Sequence, residues 1–229
     1  MAAYQTLSRT RVKICCIASP EEAMHAVAAG ADAVGLVGAM PTGPGIIDDE
    51  MAAEIAPTVP PPVTPWLLTS QTEPDAIAAH ARRCGVSVVQ IVRHVPPEVH
   101  GALRTLAPTL RRVQVIHVEG DEALGRVAAY GRGPDAFLLD SGSPAAQTFG
   151  GTGNRHDWRV SARIVAAAPA PVFLAGGLTP ENAGEAIATV HPFGLDVCSG
   201  LRSRGALDPA RLAAFMAGVR KADRANARG

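Results

Sequence analysis

The chain has 229 residues, and its 21 Lys and Arg balance 21 Asp and Glu, so no charge surplus draws it to nucleic acid or to an anionic membrane. Aromatic residues, at 4%, are too few for base-stacking platforms, while 47% apolar residues supply a full core and exclude wholesale disorder. No apolar run of about 18 residues and no basic-then-apolar leader occurs, so a soluble, cytoplasmic protein is expected, with neither nucleic acid nor membrane as partner.

Residues 1–10 read as a flexible leader. Residues 12–17 form a first strand. Ser19 then caps a helix opened by Pro20-Glu21-Glu22 and stopped by Gly30. Residues 31–37 are a second strand, apolar nearly throughout, as burial on both faces requires. The loop MPTGPGII leads to a helix from Asp48-Asp49-Glu50 to Ala56. A proline-rich connector precedes a third strand at 66–68 and a helix at 74–84, ended by Gly85. A fourth strand (86–92), a helix (96–107), a fifth strand (113–118), a helix (122–130) and a sixth strand (136–140) follow. The glycine-rich loop SGSPAAQTFGGTGNR comes before a helix at 157–168. The seventh strand (172–175) runs into Gly176-Gly177 and a helix with Thr179 as N-cap and Pro180 in its first position. The eighth strand (194–198) is followed by Ser199-Gly200, a last helix at 209–219 and a charged, frayed tail at 221–229.

Strict alternation of strand and helix implies parallel strands joined by right-handed crossovers. Eight unbroken units favour an α/β fold of the closed (β/α)8 TIM-barrel kind over a doubly wound sheet, whose G-x-G-x-x-G after the first strand is absent. Residues 11–220 are thus expected to form one catalytic barrel, as a monomer or a homodimer.

Barrel active sites lie at the C-terminal ends of the strands. The polar residues expected there are Lys13, Cys15, Gln90, His117, Asp140 and Asp196. Lys13 and Cys15 are two apart and share a face, so the ammonium is expected to lower the thiol pKa, whereas Cys16 is expected to point toward the helices. A vicinal Cys15–Cys16 bridge is discounted, a disulfide framework is not expected, and the four cysteines show no metal-ligand spacing. Asp140 ends the apolar strand FLLD, where burial is expected to raise its pKa toward that of a general acid. The glycines Gly176 and Gly177, with Ser199 and Gly200, place backbone amides before helical turns, which suits a phosphate, and GGTG adds Gly151 and Gly153. Plain structural roles stay open for each: a small buried Cys15, a loop-capping Asp140, a core His117 and an ordinary strand–turn–helix junction.

The stretches VKIC, PEEA, AGADAVGLV, LLDS, GGTG with DW, PVFLAGGLTPEN and FGLDVCSG together resemble the phosphoribosylanthranilate isomerase family over residues 12–219. The resemblance implies an Amadori rearrangement of a phosphorylated sugar-amine in tryptophan biosynthesis, without cofactor or metal. It also implies Cys15 as general base, Asp140 as general acid, and phosphate held by the GGTG, AGG and SG loops. The chain departs from the family pattern at three places. Cys16 replaces a glycine, Gly45 replaces the arginine that faces the anthranilate carboxylate, and Val92 replaces a histidine. Arg93 is the nearest replacement cation. These departures leave two alternatives open: a sister isomerase of another phosphorylated aldose or aminoaldose, and a non-catalytic sugar-phosphate-binding barrel.

Overall fold

The computed structural model describes residues 9–41, 43–142 and 155–227. Eight strands form a closed parallel barrel: β1 (Arg11–Ile14), β2 (Ala33–Val37), β3 (Thr64–Thr69), β4 (Val88–Ile91), β5 (Arg111–His117), β6 (Ala136–Asp140), β7 (Val172–Leu174) and β8 (Gly194–Val197). They pair in chain order, and β8 closes on β1 in the register Lys13 opposite Asp196. Around them lie α1 (Pro20–Ala29), α2 (Asp49–Ile55), α3 (Pro74–Arg83), α4 (Glu98–Leu106), α5 (Glu122–Tyr130), α6 (Trp158–Ala167), α7 (Ala183–Val190) and α8 (Pro209–Asn226). The closed barrel expected from the alternation is what forms. None of the described helices is long and apolar enough to cross a membrane.

Most strand residues are apolar because each strand has two buried faces, and polar residues among them, Lys13, Gln90, Arg112, Gln114, His117 and Asp196, are themselves buried. Val34, Leu36, Leu67, Val89, Ile116 and Leu139 point outward into the layer beneath the helices. Their alternates Ala33, Val37, Trp66, Leu68, Val115 and Leu138 fill the barrel. Trp66 meets Phe173 edge-on at 5.0 Å, and Phe173 meets Phe193 at 5.3 Å, so an aromatic plug packs the interior and confines the open space to one end. Half of the eight helices are capped by side chains: those of Ser19, Asp48, Asp157 and Asp208 accept amide hydrogen bonds in the first turns of α1, α2, α6 and α8.

Two helix boundaries differ from the sequence expectation for identifiable reasons. Helix α7 starts at Ala183 rather than at Thr179-Pro180, because the Asn182 side chain accepts from the Thr179 amide and donates to the Gly177 carbonyl, both at 2.9 Å. That exchange folds the segment after Gly177 into a turn and delays the helix. Helix α8 continues to Asn226 instead of stopping at Val219, so much of the expected tail is helical. Asp223 accepts from the Thr10 amide and hydroxyl, which ties α8 to the residue before β1 and gives the extension a tertiary reason.

Candidate active site

Lys13 and Cys15 emerge side by side from β1. The Lys13 ammonium is fully buried and donates to Asp196 of β8 at 2.8 Å. It also lies 5.7 Å from the centroid of the Trp66 ring. Room for both side chains comes from Gly35 on β2. A methyl group there would stand 2.7 Å from Cys15 Sγ and 2.8 Å from Lys13 Nζ. Sequence reasoning passed over Gly35. Its signal was a lone glycine inside an apolar strand, which marks close approach by another group.

Burial alone would pull the Lys13 pKa down, but Asp196 and Cys15 more than offset it, so the amine stays charged. The Cys15 thiol does not follow the expected fall. Burial pushes it up to about 11, Lys13 pulls it back only in part, and Asp196 opposes that pull. The sequence expectation counted the lysine and omitted its carboxylate partner. Asp140 follows the expectation: burial raises it to about 6, against the Ser141 amide, which donates to its carboxylate at 2.7 Å. The pocket therefore holds a carboxyl that titrates near 6 and a protonated thiol, both raised by burial.

Cys16 overturns two expectations. It does not point to the helices, and it forms a disulfide with Cys198 across 182 residues, the Cα atoms 5.9 Å apart. Strand β1 ends at Ile14, and Cys16 adopts φ 64°, so the alternation of faces no longer applies and its side chain swings to the mouth. A glycine is the residue that adopts this conformation freely, which accounts for the family pattern at this position. Gly45, at the family's arginine position, has φ 68°, and a Cβ there would lie 2.6 Å from the Cys16 Cβ. The cysteine and the missing side chain at position 45 are thus one steric arrangement.

A cavity opens at this end. Cys15, Gln90, Asp140 and Asp196 line it on one side, and Gly176, Gly177 and Ser199 on another. Val37, Met40, Pro44 and Leu68 give it an apolar flank. Gly200 stands beside this group: a Cβ there would overlap the Leu178 carbonyl oxygen, so the turns after β7 and β8 touch through a glycine. Gly176 has φ 83° and admits Ser141 in the same way. Gln90 is buried, and its Oε1 has no hydrogen-bond partner among the described residues.

The remaining candidates fall outside the lining. The His117 Nε2–H donates to the Val92 carbonyl at 3.1 Å, and burial lowers its pKa, so it joins β5 to the end of β4 as a neutral ring. Arg93 follows β4, and its carbonyl accepts from Gln114 at 3.0 Å. Neither Arg93 nor any other lysine or arginine is among the described lining residues. Gly151 and Gly153 lie outside the described residues.

Among the described residues, one group of metal-ligand type comes together outside the cavity lining: Asp49, His80 and Cys84. There the Asp49 carboxylate receives His80 Nε2–H at 2.9 Å and Arg83 Nε–H at 2.7 Å, while Thr69 Oγ1 holds His80 Nδ1 at 2.9 Å. A carboxylate already served by a guanidinium and an imidazole reads as a hydrogen-bonded joint between α2 and α3.

The sequence profile of the N-(5'-phosphoribosyl)anthranilate (PRA) isomerase family matches residues 12–217. The chain is 36% identical over 208 residues to N-(5'-phosphoribosyl)anthranilate isomerase 2 of Methanosarcina mazei, covering 90% of this chain and 92% of that protein. Among solved structures it resembles phosphoribosyl anthranilate isomerase from Thermus thermophilus, with a TM-score of 0.78, 28% identity, and coverage of 93% and 99% of the two chains. It also resembles a phosphoribosyl anthranilate isomerase in complex with reduced 1-(o-carboxyphenylamino)-1-deoxyribulose 5-phosphate, with a TM-score of 0.76, 29% identity, and coverage of 93% and 99%.

Proposed function

This chain belongs to the N-(5'-phosphoribosyl)anthranilate isomerase family, and from that premise we propose that Asp140 and Cys15 carry its Amadori rearrangement as general acid and general base. The observation that carries the assignment is the pairing of a carboxyl near pKa 6 with a buried thiol on one cavity wall, beside two glycine turns suited to phosphate.

At neutral pH about a tenth of Asp140 retains its proton. That proton goes to the furanose ring oxygen as the bond from C1 to this oxygen breaks, and the nitrogen lone pair closes an iminium at C1. The Cys15 thiolate then takes the proton from C2. The C2–H electrons become the C1–C2 double bond, and the iminium is neutralised to an enolamine that tautomerises to the ketone. Forming a thiolate at pH 7 from a pKa near 11 costs about 5 kcal/mol. The iminium charge growing beside it in a water-poor pocket lowers that cost. Gln90 Oε1, facing the cavity, accepts from a substrate hydroxyl or amine. Asp196 keeps Lys13 charged, and Lys13 keeps the thiol from rising further.

The amides of Gly176, Gly177, Ser199 and Gly200, together with Gly151 and Gly153, hold the phosphate. The substitution Gly200→Ala would force the two turns apart at Leu178. Losing a hydrogen bond to a charged group costs about 1.5–3 kcal/mol, so KM is expected to rise about tenfold to a hundredfold with kcat little changed, as read by steady-state kinetics.

The named substrate is tested by the fall in anthranilate fluorescence when phosphoribosylanthranilate is made in situ with the purified protein. Turnover supports the reading, and its absence from folded protein overturns it. A second reading, a sister isomerase with another aglycone, rests on the apolar flank and on Gly45. An unpaired buried carboxylate typically costs about 2–5 kcal/mol. The phosphoribosyl adduct of aniline, which lacks the carboxylate, separates the two. Equal kcat/KM for both adducts favours the second reading. A strong preference for anthranilate means that a cation is supplied, and Arg93→Ala then tests whether Arg93 supplies it. We place the reaction in the cytoplasm, on a monomer or homodimer.

A further inference from the structure

The Cys16–Cys198 bridge joins the two halves of the proposed machinery. Cys16 directly follows Cys15, whose amide donates to the Val197 carbonyl at 2.8 Å. Cys198 directly precedes Ser199-Gly200, the turn assigned to the phosphate. Both cysteines of the bridge line the cavity, Cys16 is nearly fully buried, and Cys198 is partly exposed to the mouth.

Several contacts converge on the same point. Cys16 is held at φ 64°, a conformation that non-glycine residues rarely keep unless their surroundings impose it. Arg202, just past the turn, donates to the Cys16 carbonyl and pairs with Glu22 of α1 at 3.0 Å. The Cys16 side chain also packs against the Gly45 backbone in the loop after β2. Three mouth segments therefore meet at one sulfur–sulfur bond. Opening that bond frees Cys16 to relax toward negative φ, and the rotation is passed directly to the peptide that carries Cys15.

We propose that the Cys16–Cys198 disulfide is a reversible positioning element for the rearrangement. When closed it registers Cys15 against the phosphate turn, and when opened by a dithiol reductant it releases both. This rests on the roles proposed above for Cys15 and for the turn at Ser199-Gly200. In the reduction, a thiolate of the reductant attacks Cys198 Sγ, the sulfur reachable from the mouth, and Cys16 leaves as thiolate. The second thiol of the reductant then resolves the mixed disulfide. Two electrons and two protons pass to the protein, giving two thiols, and the reductant ends as its own disulfide. Cytoplasmic disulfides are characteristically transient, so such a bond is suited to opening and closing.

The test uses full-length protein prepared without reductant, its bridge located by peptide mass mapping, and assayed before and after dithiothreitol and again after reoxidation. A shift of about 1 Å in a reacting group costs about a hundredfold, so reduction is expected to lower kcat about tenfold to a hundredfold, to raise KM, and to be undone by reoxidation. The double variant Cys16→Gly/Cys198→Ser, in which glycine takes the left-handed conformation freely, is expected to lose the response to reductant. Three results overturn the proposal: no Cys16–Cys198 peptide in the oxidised protein, identical kcat and KM in both states, or a response that persists in the double variant. If the wild type turns nothing over, inorganic phosphate binding by calorimetry still decides. Redox-dependent affinity keeps the positioning role while the acid–base reading fails, and redox-independent affinity sinks both.

Discussion

Replacing Asp140 by asparagine is expected to lower kcat by about 10²–10⁴, the usual worth of a positioned general acid, while the melting temperature rises. The opposite signs follow from one cause. The Asp140 carboxyl has a folded pKa near 6 against an ordinary 3.8, so the folded state binds its proton more tightly than the unfolded state. The stabilising effect of that tighter proton is present in full below about pH 3.8 and is lost as pH rises through 6. Above pH 6 the partly buried carboxylate costs at most about 3 kcal/mol, and the neutral amide does not bear this cost. Thermal melts near neutral pH and near pH 4 check the sign: the gain should be present at the first and largely absent at the second. Cys15→Ser should lower kcat by a similar factor without the stability gain, because the buried thiol is already neutral. A catalytic defect in Asp140→Asn accompanied by a lower melting temperature would mean that the residue is a structural cap and not the acid. Residual activity near the wild-type level would remove Asp140 from the mechanism altogether.

Lys13→Met is expected to be the most destabilising single change at the site. It leaves Asp196, 6% exposed, without its cation. Breaking a buried pair from one side costs about 3–5 kcal/mol. For a chain of this length that lowers the melting temperature by roughly 10 °C, as read by calorimetry. Adding Asp196→Leu should recover most of the stability, because two apolar side chains can replace a buried ion pair at little cost. Catalysis should not recover with it. Without Lys13 the thiol loses the group that opposes its burial, its pKa climbs above 11, and kcat falls even in the restabilised double variant. Equal recovery of stability and turnover would show that the pair serves the fold alone.

Much of this architecture was legible because barrel strands declare themselves. Residues 33–37 and 136–139 are apolar on both faces, and only a strand covered on both sides tolerates that. The raised pKa of Asp140 was legible as well, since an aspartate ending the apolar run FLL is carried into burial with its strand. The thiol pKa was not. It depends on Asp196, which lies 183 residues from Lys13 and reaches it only once the barrel closes. The bridge escaped for a related reason. Cys16 and Cys198 are remote in sequence, and the positive φ that aims Cys16 at its partner leaves no mark in the pattern of apolar residues. Gly35 was visible only as an unexplained gap in an apolar strand. Arg93 adjoins the position of the missing histidine in sequence, and it is not among the described residues that line the cavity.

Closure of the barrel between its first and last strands also sets a timetable for biosynthesis. Lys13 leaves the ribosome early, and its counter-ion follows 183 residues later, which at about 5–20 residues per second is roughly ten to forty seconds. Throughout that interval a nascent chain carries a lysine meant for a dry interior and has nothing to neutralise it there. Burying that charge alone is disfavoured, and the pairing of β8 with β1 supplies its partner. The charge pair that tunes the thiol thereby acts as a completion check: a chain halted before Asp196 should remain open, inactive and exposed to proteolysis.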